Sequence, residues 1–195
     1  QMVSENLNEE QLDYLARMEW VIKEGLTVVR NLMDLRAIEN NAIELDINEV
    51  DLGAIINDHF KNYAKQILTK KLIISSKIDK VTVWSDKRTL ERIIDHLISN
   101  VIKFTPKEST IHVNLINLSS KIELKISSSS GPLPDAEVDN LFKRSSPLST
   151  RPTHGESALG NGLFIAHSFV QHLTGEIKFS QKGSIIDFTL IIPIK

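Results

Sequence analysis

The chain has 195 residues, which suits one full domain with an attached element or two small domains, since globular units mostly run about 100 to 150 residues. Apolar residues at 41%, charged residues at 25% and a net charge of -2 describe an ordinary globular chain and give no reason to expect nucleic acid or an anionic membrane as a partner. The absence of cysteine excludes disulfides and thiolate metal sites and fits a reducing, cytoplasmic setting. No signal peptide is recognised, and no run nears the roughly 18 apolar residues that span a bilayer. The expectation is a segment without membrane contact, any anchor of the parent protein lying upstream.

From Glu9 to about Glu39, the residues Leu15, Met18, Ile22, Leu26, Val29 and Met33 recur at alternating steps of three and four, with no proline between them. This predicts one helix of roughly 30 residues, whose seam must lie along its own domain or join a helical hairpin or dimer bundle. The period then changes to two: Ile43, Leu45 and Ile47 alternate with Glu44, Asp46 and Asn48, as in a half-buried strand that opens a new domain. The expected division is 1–41, one helix of a dimerisation segment, and 42–195. Asp51 can cap a helix over 52–71 with Ile55, Phe60, Tyr63 and Ile67 inward. Short strands follow at "KLIIS" and "VTVW". Asp86 or Ser85 can cap a third helix through Leu90, Ile93, Ile94, Leu97, Ile98 and Val101, ending before Pro106.

Downstream, "TIHVNLINL" and "KIELKIS" alternate cleanly and read as an antiparallel hairpin. Four serines lead to a short helix near "DAEVDNLFKR", a polar stretch from Ser145 to Ser157, a helix behind Gly160 and Gly162, and a closing hairpin in "EIKFSQKGSIIDFTLIIPIK". The fold class is α+β: an α/β sandwich of a mixed, largely antiparallel sheet covered on one face by helices and preceded by one long helix.

Two constellations point to chemistry. In "LGNGLFIAHSFVQHLTGEI" two glycines stand one residue apart where a helix begins. They either permit a tight loop or frame an anion cradle, because glycine does not block backbone approach and a helix start presents unpaired N–H groups and partial positive charge. In "LERIIDHLISNVIKFTP", Asn100 and Lys103 share one helix face near its end, so a neutral oxygen ligand and a cation can address one metal-bound phosphate. Each residue alone has an ordinary reading, as a cap or as a solvated charge.

Together these stretches resemble the sensor histidine kinases of two-component systems. "HLISNVIKFTP" looks like that family's N-box, close to N-x-x-x-N-A-x-K-[FY]-T-P. The double-glycine segment is similar to its second glycine box, "GPLPDAEVDNLFKR" resembles the segment with the F-box, and "QKGSIIDFTLIIP" its closing hairpin. The segment from Tyr14 to Leu52 looks like the second helix of the dimerisation bundle and its link to the catalytic domain. Five boxes in the family's order cover nearly the whole chain from Glu9.

The resemblance implies a Bergerat-type (GHKL) ATP-binding domain with ATP and Mg as cofactors. Asn100 would coordinate Mg, Lys103 would contact phosphate, and Phe104 would line the nucleotide pocket. Gly160 and Gly162, with Asn161 between them and Leu163 after them, would let helix amides meet the phosphates. The stretch 145–157 would be the ATP lid, with Arg144 or Arg151 reaching phosphate. Implied partners are a response regulator and a second kinase chain held through the N-terminal helix.

Three departures stand against the family pattern. Where it has D-x-G-x-G, with an aspartate accepting from the adenine amino group, this chain reads "ISSSSGPLP", so Ser128 or Ser129, near Gly131, stands at the aspartate position. A hydroxyl is a weaker acceptor than a carboxylate. His96 stands where the first N-box asparagine would be and is a candidate catalytic group, or simply a polar residue meeting a neighbour. None of the six histidines has the context of the family's phosphoacceptor box, so a phosphoryl group would go to a histidine outside this chain. The alternative is a degenerate, non-catalytic module that keeps the fold for dimerisation or partner docking.

Overall fold

The computed structural model describes residues 7–130, 132–144 and 160–194. Helix α1 (Glu9–Glu39) begins with a reciprocal cap: Asn8 Oδ1 accepts from the Gln11 amide and Gln11 Oε1 from the Asn8 amide. At about 1.5 Å per residue it is a rod about 46 Å long. Its last turns join the rest of the chain through buried Leu35, through Asn31 and Asp34, which accept from Arg92, and through Glu39, which pairs with Arg144.

Strand β1 (Ile47–Asp51) starts later than its alternation suggests. Residues 42–46 belong to no strand, and Leu45 and Ile47 are exposed, so the half-buried strand expected from Ile43 is found only from Ile47 on. The ladder sets the strand: Ile47 to Asp51 pair with β3 (Thr82–Asp86) in a two-stranded antiparallel ribbon that sends Val50 inward. Asp51 caps α2 (Leu52–Asn62), accepting from the Ala54 amide at 2.9 Å. The helix expected over 52–71 breaks at Tyr63, whose backbone (φ -94°, ψ 8°) ends α2 and starts α3 (Ala64–Lys70). Tyr63 Oη donates to Asp95 at 2.8 Å, a long-range tie that periodicity does not reveal.

Asp86 caps α4 (Lys87–Phe104), its Oδ1 accepting from the Thr89 amide, while its Oδ2 accepts from the Asp46 amide. Burial alone would raise the Asp86 pKa; the hydrogen bonds from Thr89 and Asp46 and the charge of Arg88 hold it below the usual carboxylate value. One carboxylate thus joins the lead-in to β1 to the start of α4.

The main sheet has the order β2-β4-β5-β7-β6, from β2 (Ile73–Ile78), β4 (Thr110–Leu118), β5 (Lys121–Ser129), β6 (Glu176–Lys182) and β7 (Ile185–Pro193). The β2–β4 pair is parallel, and the other three are antiparallel. A parallel pair needs a crossover, and α4 lies within that connection. Alternate residues of the central strands point to the helices: Ile111, Val113 and Leu115; Ile122, Leu124 and Ile126; Ile186, Phe188, Leu190 and Ile192. On the other face Lys125 pairs with Asp187 at 2.9 Å. Helices α4 and α6 (Gly162–His172) pack on the apolar face, and α5 (Asp135–Val138) is a single turn. The α+β sandwich with a mixed sheet and a leading helix is as expected. Among the described residues no helix is long and apolar enough to cross a membrane.

Candidate functional site

The site is built where α4 meets α6. Apart from Thr89 and His96 the buried face of α4 is aliphatic, and His96, Asn100 and Lys103 follow one another on a single stripe at steps of four and three. His96 is 8% exposed, and a Cβ on Gly162 would stand 3.2 Å from its Nδ1. The ring therefore lies against the first residue of α6, and a side chain at 162 would have to displace it by a few tenths of an ångström. Gly160, two residues earlier, has φ +68°, a conformation that L side chains rarely adopt. The two glycines thus have separate tasks: one turns the chain and the other lets α6 close on α4.

The first bond inside α6 runs from the Ile165 amide to the Asn161 carbonyl at 2.9 Å, so the amides of 162–164 lead out of the helix start. Asn161 does not cap the helix with its side chain. Leu163 is buried in the core, whereas Asn100, Lys103 and Phe104 are half-exposed. Half-exposure at the end of α4 leaves these three side chains able to reach a ligand.

A lysine not anticipated from the sequence supports that end. Lys70 is 1% exposed and donates from Nζ to the carbonyls of Ile102 at 2.6 Å and Lys103 at 2.8 Å. These are among the last carbonyls of α4, which have no acceptor role within the helix, so a distant ammonium caps it. Nothing in "LTKKL" separates Lys70 from a surface lysine; its burial follows from the turn after α3, where Lys71 adopts φ +53°.

At the other side of the site, β5 sends Ser128 toward the helices and Ser129 away from them. Ser128 is 2% exposed and its Oγ has no hydrogen-bond partner. A buried hydroxyl left unpartnered costs about 1–3 kcal/mol, so it marks a place where a polar ligand group would be welcome. Ser130 is tied to the turn before β7 through its amide, which donates to the Ser184 carbonyl at 2.7 Å. Gly131, Arg151 and the polar stretch 145–157 lie outside the described residues.

Of the two arginines expected near phosphate, Arg144 is among the described residues. It pairs with Glu39 at the end of α1. Nearby, Phe142 stacks on His167 of α6 with ring centroids 5.4 Å apart, fixing the segment after α5 against that helix. Arg92, one turn before His96, donates to Asp34 of α1 from Nε at 2.9 Å and also from Nη2.

His96 itself is held neutral. Burial, then the charges of Arg92 and Lys103, bring its pKa down to about 4 against the opposing pull of Asp95. Its Nε2 is buried without a partner. A ring that stays uncharged at neutral pH is not a proton acceptor of useful strength, so the role of general base expected as one option for His96 finds no support. No group of three or more acidic or histidine side chains able to hold a metal occurs among the described residues. A metal here would have to be shared with a ligand.

The chain is similar to known proteins. The family model of the histidine kinase-, DNA gyrase B-, and HSP90-like ATPases matches residues 85–195, from the end of β3 through β7. A sensory kinase of Synechococcus, SasA, is 28% identical over 164 residues, covering 80% of this chain and 43% of the relative. The sensor protein KdpD of Clostridium acetobutylicum is 24% identical over 168 residues, covering 85% of this chain and 18% of its own length. The chain thus spans less than half of either relative. Among solved structures, the Acinetobacter baumannii histidine kinase AdeS superposes with a TM-score of 0.75 at 23% identity, covering 97% of this chain and 87% of that one. Histidine kinase ThkA, solved in complex with the response regulator TrrA, gives 0.68 at 18% identity, covering 98% and 54%. These structural likenesses support the fold. With the family match over more than half its length, the chain belongs to the histidine kinase-, DNA gyrase B- and HSP90-like ATPases.

Proposed function

We propose that this chain binds Mg-ATP between α4 and α6 and positions it for phosphoryl transfer to a histidine outside the chain, as part of a two-component sensor kinase. The observation that carries this reading is the approach of α6 to α4 at Gly162, one helical turn from Asn100. Asn100 offers a neutral oxygen to Mg, Lys103 a cation to phosphate, and the amides behind Gly160 and Gly162 a cradle for the anion. Phe104 and Leu163 supply apolar wall. Ser128 is the inward-facing group where the purine would lie, and its unpartnered hydroxyl fits a base edge; Ser129 faces away and has no such task. The bound nucleotide supplies the γ-phosphoryl group. The chain's own work is to hold it, neutralise charge and keep the end of α4 in place through Lys70.

The apolar seam of α1, from Leu15 to Met33, is exposed along its length. It fits a second kinase chain as partner, in a cytoplasmic assembly, with a response regulator as the downstream acceptor. The boundary between this helix and the catalytic domain falls near residue 41, where Asn40 and Asn41 end α1.

Calorimetric titration with a non-hydrolysable ATP analogue and Mg tests the reading. Asn100→Ala is expected to weaken binding about tenfold or more, equivalent to about 1.4 kcal/mol; unaltered affinity would remove Asn100 from the site. A second reading, a non-catalytic module, is favoured by the serine in place of a carboxylate at Ser128. It predicts no thermal shift with millimolar ATP, whereas a ligand that binds only the folded state raises the midpoint.

A further inference from the structure

Helices α2 and α3 and strand β2 frame an open groove of about 900 Å³, walled by Phe60, Ile67 and Leu68 of the helices and by Leu72 and Ile74 at the strand. No residue of α4 or α6 lines it, so what it binds is a question apart from the nucleotide reading. Leu68 is 79% exposed, and Ile73, between Leu72 and Ile74, is 62% exposed. The rim is basic. Lys61 and Lys71 line the groove in pairs with Asp58 at 2.9 Å and Glu108 at 2.7 Å, but these four side chains are 66 to 76% exposed, and pairs so exposed hold weakly. From residue 61 to residue 80 the chain carries six lysines and a single acid, Asp79, although the whole chain has a net charge of -2. Lys70 is spent inside on the end of α4; the other five lysines are exposed.

Strand β2 adds a second feature. It ends the order β2-β4-β5-β7-β6, so one of its edges has no strand beside it. The Ile73 and Asp79 amides donate to the carbonyls of Ser109 and Leu115, on the β4 side. Alternation along a parallel ladder then turns the N–H and C=O groups of Ile74, Ser76 and Ile78 to the open edge. Ile74 also lines the groove, so edge and groove are continuous. A lipid surface makes no use of a strand edge, whereas an extended chain takes its main-chain hydrogen bonds there and sends alternate side chains to one face. We propose that the open edge of β2 and the groove beside it dock an extended acidic segment of a partner protein. The segment joins the sheet as a further strand, with apolar side chains in the groove and carboxylates on Lys61 and Lys71.

The test uses the whole chain and a short, capped, fluorescein-labelled peptide in which glutamate alternates with valine, beside a twin with lysine for glutamate. Fluorescence anisotropy is expected to show the glutamate peptide binding about tenfold more tightly than its twin, or better. Ser76→Pro removes an outward amide and leaves the β2–β4 ladder intact, as edge strands tolerate proline; it should weaken the glutamate peptide about tenfold. Leu68→Glu, which sets a like charge in the apolar wall, should do the same. Two versions of the peptide methylated on alternate backbone nitrogens read the edge without altering the chain: one parity should lose binding and the other keep it. Equal binding of the two methylated versions, an affinity unmoved by a folded Ser76→Pro, indifference to the sign of the peptide, or no binding at all overturns the proposal. Binding to phosphatidylglycerol vesicles that Leu68→Glu abolishes gives the groove to lipid, and self-association that Leu68→Glu abolishes gives it to a second copy; either result overturns it as well.

Discussion

Helices α1 and α4 carry similar apolar repeats in opposite surroundings. Along α1, Met18, Ile22, Val29 and Met33 are 53 to 66% exposed, whereas along α4 Leu90, Ile93, Ile94, Leu97 and Ile98 are at most 1% exposed. The difference lies in what the chain places opposite each helix. Helix α4 crosses between two parallel strands and must cover the sheet they belong to, so its stripe is buried by topology. Helix α1 is anchored only at its last turns and projects the rest of its seam away from the core. Amphipathic periodicity states that a face must be covered; it does not state by what.

The sharpest way to break this contrast is truncation at matching positions. Ile98→Ala should destabilise the chain by about 2–5 kcal/mol in denaturant unfolding, because α4 cannot collapse around the lost volume. Ile22→Ala should change stability by no more than about 0.5 kcal/mol at concentrations where the chain is monomeric. A loss at Ile22 as large as that at Ile98 would mean that the α1 seam is already covered, and sedimentation of the same samples would show whether a second copy covers it.

The same distinction separates what was legible in the residues from what was not. Local signals worked where a local rule sets the structure: Asp51 and Asp86 cap their helices, the β4–β5 hairpin turns at Ser119 and Ser120, and Gly160 takes a positive φ. The motifs were equally readable, since Asn100, Lys103 and the two glycines keep their spacing whatever surrounds them. Long-range partners escaped. The break at Tyr63 depends on Asp95, the burial of Lys70 on the end of α4, and the destination of Arg144 on Glu39 of α1. Spacing did not show which of Ser128 and Ser129 faces the helices either; the pleat of β5 does, by sending alternate residues to opposite faces.

A smaller effect follows from the neutral ring inside α4. The folded-state pKa of His96, about 4, lies below the unfolded value near 6.5, so between those values the unfolded chain binds more protons and stability falls as pH drops. From pH 7 to pH 5 the loss attributable to this ring is about 2 kcal/mol. Carboxylates and the other histidines contribute their own slopes, so the informative quantity is the difference between the wild-type chain and His96→Gln. The variant should lose less stability over that interval; parallel curves would mean that the ring is reached by protons without unfolding. No counterpart exists on α1, which contains no histidine.

The smallest expected effect tests the joint between the two helices. Asp34 and Arg92 are 18% and 22% exposed and form the pair that fastens α1 to α4. With exposure below a third, the pair keeps more of its attraction than a solvated one, and Asp34→Ala should cost about 1 kcal/mol. The size matters less than the location. If α1 is held only by its end, removing this tie should speed amide exchange in the last turns of α1, around Leu32 to Arg36, and leave the interior of α4 unchanged. If exchange rises equally along α4, the pair braces the core from outside, and the two helices form one cooperative unit in place of a packed element with a projecting rod.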